Sequence, residues 1–338
     1  MHRSGVVSGF QRELGLDDLA PDPEFEPPSR YNTTQIGNWL RLIRLPNLLT
    51  VPGDVVIGFM VMAPTHSWAT QHIWVAMAAA TLFYIGGIIF NDVVDVRRDL
   101  HRNPWRPLPF GLIPIVTAEA AVFATLVLGL GLSVLNGFDS LIIGASLVVA
   151  ISAYNLELKH IPWLGPLALG LCRGLSVLLG AFAVRGNPPL SAEAGRVAGA
   201  VAVYILGLSL YARFERQPRL PVWAGIAPFL GACGAIALCA PLWYTLSPGR
   251  LLVTLTLLAA LAGGAFLVLV RAWRPARTGS ADDLERVSAV GLLLRGLIFF
   301  QAAVVSMTGA APLQIVVLCI LLAAWPLHAL MEKSFYAS

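Results

Sequence analysis

Ten predominantly apolar stretches of about 20 residues recur along the chain, near 40 to 62, 72 to 90, 111 to 134, 139 to 156, 164 to 184, 196 to 211, 222 to 244, 250 to 271, 289 to 308 and 312 to 331. A helix rises about 1.5 Å per residue, so ~20 apolar residues cross roughly 30 Å of hydrocarbon. The pattern predicts an all-α protein, a polytopic bundle of nine or ten transmembrane helices joined by short polar segments. The count turns on Thr308-Gly309-Ala310-Ala311-Pro312, which reads either as a hairpin between two spans or as a kink within one. Residues 1–38 are polar, with prolines at Pro21, Pro23, Pro27 and Pro28 and six acids from Glu13 to Glu26. They lack the apolar core of a signal peptide and are too acidic for a transit peptide. A disordered cytosolic tail is expected there, with the membrane domain at 39–333.

Composition fixes the class. Hydrophobic residues make up 57% of the 338 positions and charged ones 12%, with a mean hydropathy of +0.73, which excludes a soluble two-domain protein of this length. Basic residues are unevenly shared between the two sides. Arg97, Arg98, Arg102, Arg106, Lys159, Arg213, Arg216, Arg219, Arg271, Arg274, Arg277 and Arg286 fall on one, but only Arg185, Arg196 and Arg250 on the other. Cytoplasmic loops carry the excess, so the N-terminus and the first set are expected inside, in a bacterial inner (plasma) membrane. The net charge of +4 is dispersed over these loops and implies no nucleic-acid partner. Cys172, Cys233, Cys239 and Cys319 sit in apolar runs without metal-ligand spacing and read as packing residues. Gly86-Gly87, Gly129 to Gly131 and Gly263-Gly264 read as sites of close helix approach.

The densest chemistry follows the second apolar run: Asn91-Asp92-Val-Val-Asp95-Val-Arg-Arg-Asp99. If the helix continues, Asn91, Asp95 and Asp99 stack on one face over roughly 12 Å, with Asp92 about 100° round. Acids at the edge of hydrocarbon are expensive, and this oxygen-rich set suits a hard divalent cation such as Mg²⁺ paired with phosphates. The plainer alternative is a set of solvated loop charges balanced by Arg97, Arg98, Arg102 and Arg106. Elsewhere in the spans, Asp54 and Arg173 each require a partner inside the bundle. For Arg173 that partner is Asp54 or a bound diphosphate.

Asn91 to Gly111 resembles the first aspartate-rich motif of the UbiA superfamily of intramembrane prenyltransferases, Asn-Asp-x-x-Asp-x-x-x-Asp followed by an Arg-Pro-rich stretch. Asn103 and Phe110 depart from the family's Arg and Ser. Arg44-Leu-Pro-Asn47 resembles its first helix, and Tyr154 with Lys159 its third signature, in which the Lys binds diphosphate and the Tyr faces the reacting carbon. The likeness runs over about 38 to 308. The main departure is at Tyr211-Ala-Arg213-Phe-Glu215-Arg216, where the family carries a second acidic motif holding another Mg²⁺. This stretch is similar to an EboC-like branch of the superfamily.

The resemblance implies a UbiA-like helical fold and Mg²⁺-dependent transfer of an isoprenyl group from a polyprenyl diphosphate to an aromatic or other lipophilic acceptor. Asn91, Asp92, Asp95 and Asp99 are the implied metal ligands. Arg106, Lys159, Arg173 and Tyr154 are the implied catalytic groups, and Asn47, Asp54, Arg213 and Glu215 bind substrate. Phe83, Tyr84 and Trp163 are further aromatics available to face an allylic cation. The altered second motif leaves open a non-catalytic relative that binds or translocates an isoprenoid or amphipathic metabolite.

Overall fold

The computed structural model describes residues 34–62, 71–103, 106–184, 189–214, 217, 220–273, 280–308 and 312–336, and among these no strand occurs. Thirteen α-helices follow one another: α1 (Gln35–Leu42), α2 (Leu45–Leu48), α3 (Val51–Met62), α4 (Gln71–Val94), α5 (Val96–Arg102), α6 (Ile115–Leu135), α7 (Phe138–Leu156), α8 (Leu164–Ala181), α9 (Ala192–Phe214), α10 (Val222–Cys239), α11 (Pro248–Ala272), α12 (Ser280–Thr308) and α13 (Pro312–Tyr336). Nine spans among the described residues are long and apolar enough to cross a membrane, and α13 adds a shorter apolar stretch, Ile315–Leu330. Helices α12 and α13 are distinct and pack on each other. Residues 309–311, on which the sequence count turned, lie outside the described residues, as does the N-terminal segment 1–33.

The first apolar run is not one helix. Thr34 caps α1, its Oγ1 accepting from the Gly37 N–H at 3.2 Å. The chain then breaks at Arg44, whose φ of 50° is left-handed, and restarts with Pro46 in the first turn of α2. Leu45 precedes a proline, which disfavours continuing the helix through it, while proline itself suits a first turn. The break turns Arg44 and Asn47 toward the bundle.

Helix α3 is the hub. Nine of its twelve residues are buried, from Val51 to Met60, and it packs on α4, α8, α9 and α12. Its contact with α8 runs backbone to backbone: a Cβ on Gly58 would lie 1.9 Å from the Val177 carbonyl oxygen, and one on Gly180 2.0 Å from that of Val55. Small residues at both positions let the helices approach where lipid tails offer no hydrophobic drive for association. Of the glycine pairs singled out in the sequence, Gly86 and Gly129 do pack closely, against Thr125 and Phe83. Gly263 and Gly264 do not, since a Cβ on either would meet open space. A second, smaller core of Leu42, Ile89, Val96, Leu108, Ile113 and Ala118 supports the junction of α4 and α5.

Gly58→Ala or Gly180→Ala should destabilise the protein in detergent by roughly 1–3 kcal/mol, the usual cost of overpacking. Gly263→Ala should leave it unchanged or raise stability by ~0.5–1 kcal/mol through helix propensity. Melting temperatures of the three variants check both statements.

Candidate functional site

Helix α4 runs out of the bundle at the acidic motif. Its hydrogen bonding continues through the irregular turn at Asp95, with the Asp95 N–H on the Asn91 carbonyl at 3.0 Å and the Asp99 N–H on that of Asp95 at 2.8 Å. The acidic face is therefore helical, as the spacing required. Asp92, Asp95 and Asp99 are each less than 5% exposed. They are buried because cations from separate elements close over them.

Arg106 reaches both ends of the row, donating to Asp99 at 2.6 Å and to Asp92 at 3.5 Å. Asp92 thus joins the same lattice as Asp99, although the spacing had set it to one side. Leu108, fully buried in the smaller core, anchors the turn that carries Arg106. Arg44, at the break before α2, donates to Asp92 at 3.1 Å. Asp95 receives Arg98 at 2.7 Å and Lys159 at 2.8 Å. The Asn91 amide donates to Asp92 at 3.3 Å. Four cations, Arg44, Arg98, Arg106 and Lys159, thus gather around three carboxylates. The plainer reading, a solvated loop balanced by neighbouring arginines, accounts for Arg98 and Arg106 but not for burial or for Arg44 and Lys159.

Beside this lattice lies a cavity of about 460 Å³, the size of pockets that hold drug-sized ligands. Arg44, Asn47, Asn91, Tyr154 and Arg213 form its polar end, and Phe83, Leu147, Ile151, Leu169 and Leu208 are among its apolar walls. Asn155 ties two of those walls together, donating to Ile151 in its own helix and to the Gly87 carbonyl of α4 at 3.3 Å. Tyr84 lines the cavity with Phe83. Trp163 does not line it: its ring is half-exposed and lies 4.6 Å from that of Trp223.

Arg173 lines the cavity too, but its partners are not the motif acids. Its Nε meets Asp54 at 2.7 Å and its Nη2 donates to the carbonyl and hydroxyl of Thr50, both at 3.1 Å. Gln301 completes the set, donating at 2.8 Å to Asp54 and at 2.8 Å to the Thr50 carbonyl. Arg173 lies eight residues beyond Gly165 on α8, about 12 Å along the axis from the polar end. Asp54, one of its two candidate partners, thus meets it inside the bundle. Asp54 itself is fully buried behind the guanidinium and is absent from the cavity lining, so it orients Arg173.

Arg213, at the last turn of α9, donates to the carbonyls of Lys159 and His160 at 2.7 and 3.2 Å. Glu215 and Arg216 lie outside the described residues. Sequence reasoning overlooked Gln301 and Thr50; a lone Gln in an apolar run was the available signal for the first.

As a cation site, the donor set is hard oxygen throughout, yet among the described residues no three acidic, His or Cys side chains converge to cage a metal. Hard oxygen donors suit Mg²⁺, which binds through one or two carboxylates and completes its shell with substrate phosphates and water.

The UbiA prenyltransferase family profile matches residues 55–289. Two curated proteins named digeranylgeranylglyceryl phosphate synthase are similar. That of Saccharolobus solfataricus is 28% identical over 148 residues, covering 43% of this chain and 51% of the relative. That of Sulfurisphaera tokodaii is 31% identical over 147 residues, covering 43% and 52%. The chain thus spans about half the length of these relatives. Among solved structures, the apo UbiA homolog from Aeropyrum pernix K1 superposes with a TM-score of 0.60 at 20% identity, covering 77% of this chain and 96% of that one. The UbiA homolog from Archaeoglobus fulgidus bound to GPP and Mg²⁺ superposes with a TM-score of 0.56 at 15% identity, covering 77% and 98%. The shared fold is the all-helical one expected from the apolar runs.

Asp54→Ala would strand the Arg173 guanidinium in the bundle and should lower stability by about 3–5 kcal/mol, whereas Asp54→Leu with Arg173→Met should recover most of that loss. Thermal unfolding of the single and double variants in detergent measures both.

Proposed function

The chain belongs to the UbiA prenyltransferase family, and from that membership and the charge arrangement at its cavity we propose that it transfers an isoprenyl group from a polyprenyl diphosphate to a lipophilic acceptor within the membrane. The observation that carries this reading is an apolar cavity whose polar end abuts a lattice of three buried carboxylates and the cations around them. A hydrocarbon tail suits the walls and a diphosphate suits the lattice.

The residues divide the work. Asn91, Asp92, Asp95 and Asp99 would hold Mg²⁺ together with diphosphate oxygens, and the ion would supply electrostatic stabilisation of the leaving group. Lys159, Arg106 and Arg44 exchange carboxylate partners for phosphate oxygens as the diphosphate enters. Negative charge grows on that diphosphate as its bond to the allylic carbon breaks, so these cations stabilise the transition state more than the ground state. Tyr154, with Phe83 and Tyr84, presents aromatic surface to the cation that forms. The apolar walls keep water from capturing it before the acceptor does. The protein is an integral membrane protein by the nine apolar spans among its described residues. The loop charges support an orientation with the acidic motif facing the cytoplasm, in a plasma membrane, as for a bacterial inner membrane protein.

One observation favours a second reading. Every motif carboxylate already has a cationic partner in the protein alone, which also suits a relative that binds or translocates a phosphorylated isoprenoid without turnover.

Purified protein should release pyrophosphate from geranyl, farnesyl or geranylgeranyl diphosphate in the presence of an acceptor panel, and only with Mg²⁺. Asp95→Ala combined with Asp99→Ala should lower the rate by at least about 100-fold. Release indifferent to those acids would sink the proposal, and diphosphate binding without turnover on any acceptor would establish the second reading.

A further inference from the structure

We infer that Arg213 is a positioning residue, which sets the place of the Lys159 ammonium by bracing the turn that carries it. The inference rests on the reading of Lys159 as a diphosphate-binding group. Lys159 does not sit on a long helix. It lies in a single 3-10 turn, Leu158–His160, between the end of α7 and the start of α8. Its side chain is 6% exposed and its Nζ meets Asp95 at 2.8 Å, so a small movement of the turn would take the ammonium out of the lattice.

Two ties hold that turn, one from the end of α9 and one from the start of α10. Arg213 places Nη1 on the Lys159 carbonyl at 2.7 Å and Nη2 on the His160 carbonyl at 3.2 Å, supplying donors to carbonyls at the end of a helical turn. Four residues on, the ring of Trp163 lies 4.6 Å from that of Trp223, which meets Phe214, the residue after Arg213, edge-on at 4.9 Å. The space is closed on the remaining side, where a Cβ on Gly165 would come within 3.1 Å of the Lys159 Cα and 3.5 Å of Arg213 Nη1. A guanidinium presents two parallel donors in a rigid fork, which matches two adjacent carbonyls; an ammonium does not. With one N–H of each terminal nitrogen given to the turn, the effect of Arg213 on the diphosphate is assigned to its hold on Lys159.

The distinction is measurable. In full-length protein, Lys159→Met should slow pyrophosphate release by about 100-fold, the cost of removing one stabilising donor, and Arg213→Met by at least about tenfold. The double variant should be no slower than Lys159→Met alone, because residues acting as one unit are non-additive. Arg213→Lys, which keeps the charge and loses the fork, should resemble Arg213→Met. Additive losses, or full activity in Arg213→Lys, would mean that Arg213 acts on the anion by its own charge and would overturn the inference. A second readout needs no turnover. Lys159→Cys should react slowly with a charged methanethiosulfonate, and adding Arg213→Met should speed labelling at least about tenfold, as exposure governs thiol access. Unchanged labelling would refute the brace even in an active enzyme. Faster labelling in a protein that never releases pyrophosphate would keep the brace and remove the prenyltransferase reading.

Discussion

A charge placed in hydrocarbon has to find its counter-charge inside the protein, and this requirement organises the bundle from its middle to its edge. Asp54 is fully buried on α3, nine of whose twelve residues are buried. It is tolerable there because Arg173 comes from α8 and Gln301 from α12 to meet it, with the Thr50 carbonyl accepting from both. Three helices are thereby held at one level, and the close approach of α3 to α8 through Gly58 and Gly180 follows the same contact line. The wall of the cavity next to Arg173 owes its shape to this arrangement.

At the polar end the same rule acts on a larger set of charges. Asp92, Asp95 and Asp99 are sequestered by Arg44, Arg106, Arg98 and Lys159, which arrive from a helix break, a turn, the next helical turn and a 3-10 turn. Most of the desolvation that a bound diphosphate would demand has already been imposed by folding. In the proposed reaction, ligand entry is an exchange of partners: phosphate oxygens take over the cations, and carboxylate oxygens become available to a hard divalent ion. A site of this kind discriminates in favour of an anion that arrives with its metal, since either alone would leave part of the lattice unmatched.

Short irregular elements carry much of this chemistry. Arg44 stands at a left-handed residue, Arg106 in a turn and Lys159 in three residues of 3-10 helix. Such segments hold position only through outside ties. Leu108 supplies one through the smaller core, and Arg213 with the Trp163–Trp223–Phe214 aromatics supplies another. The departure of the Tyr211–Arg216 stretch from an acidic pattern therefore has a structural counterpart at Arg213, which is engaged with the neighbouring turn.

What the amino-acid sequence alone determined is whatever depends on short-range order and on the solvent. Runs of ~20 apolar residues have one stable form in a bilayer, so the spans were legible, as was the helical acidic face from Asn91 to Asp99. Tyr154, Lys159, Asn47 and Arg106 could be nominated from local motifs, and the structure brings all four to the cavity or its bordering lattice. Only the tertiary structure decided who pairs with whom. Arg44 meets Asp92 across 48 residues, and Gln301 meets Asp54 across 247. No periodicity encodes a separation of that kind. The pairing of Arg173 with Asp54 rather than with the motif acids, and the reach of Arg213 to the carbonyls of Lys159 and His160, follow from which groups the packed helices bring within reach at one depth of the membrane. A linear pattern reports that a buried charge needs a partner, and the three-dimensional packing selects which one it gets.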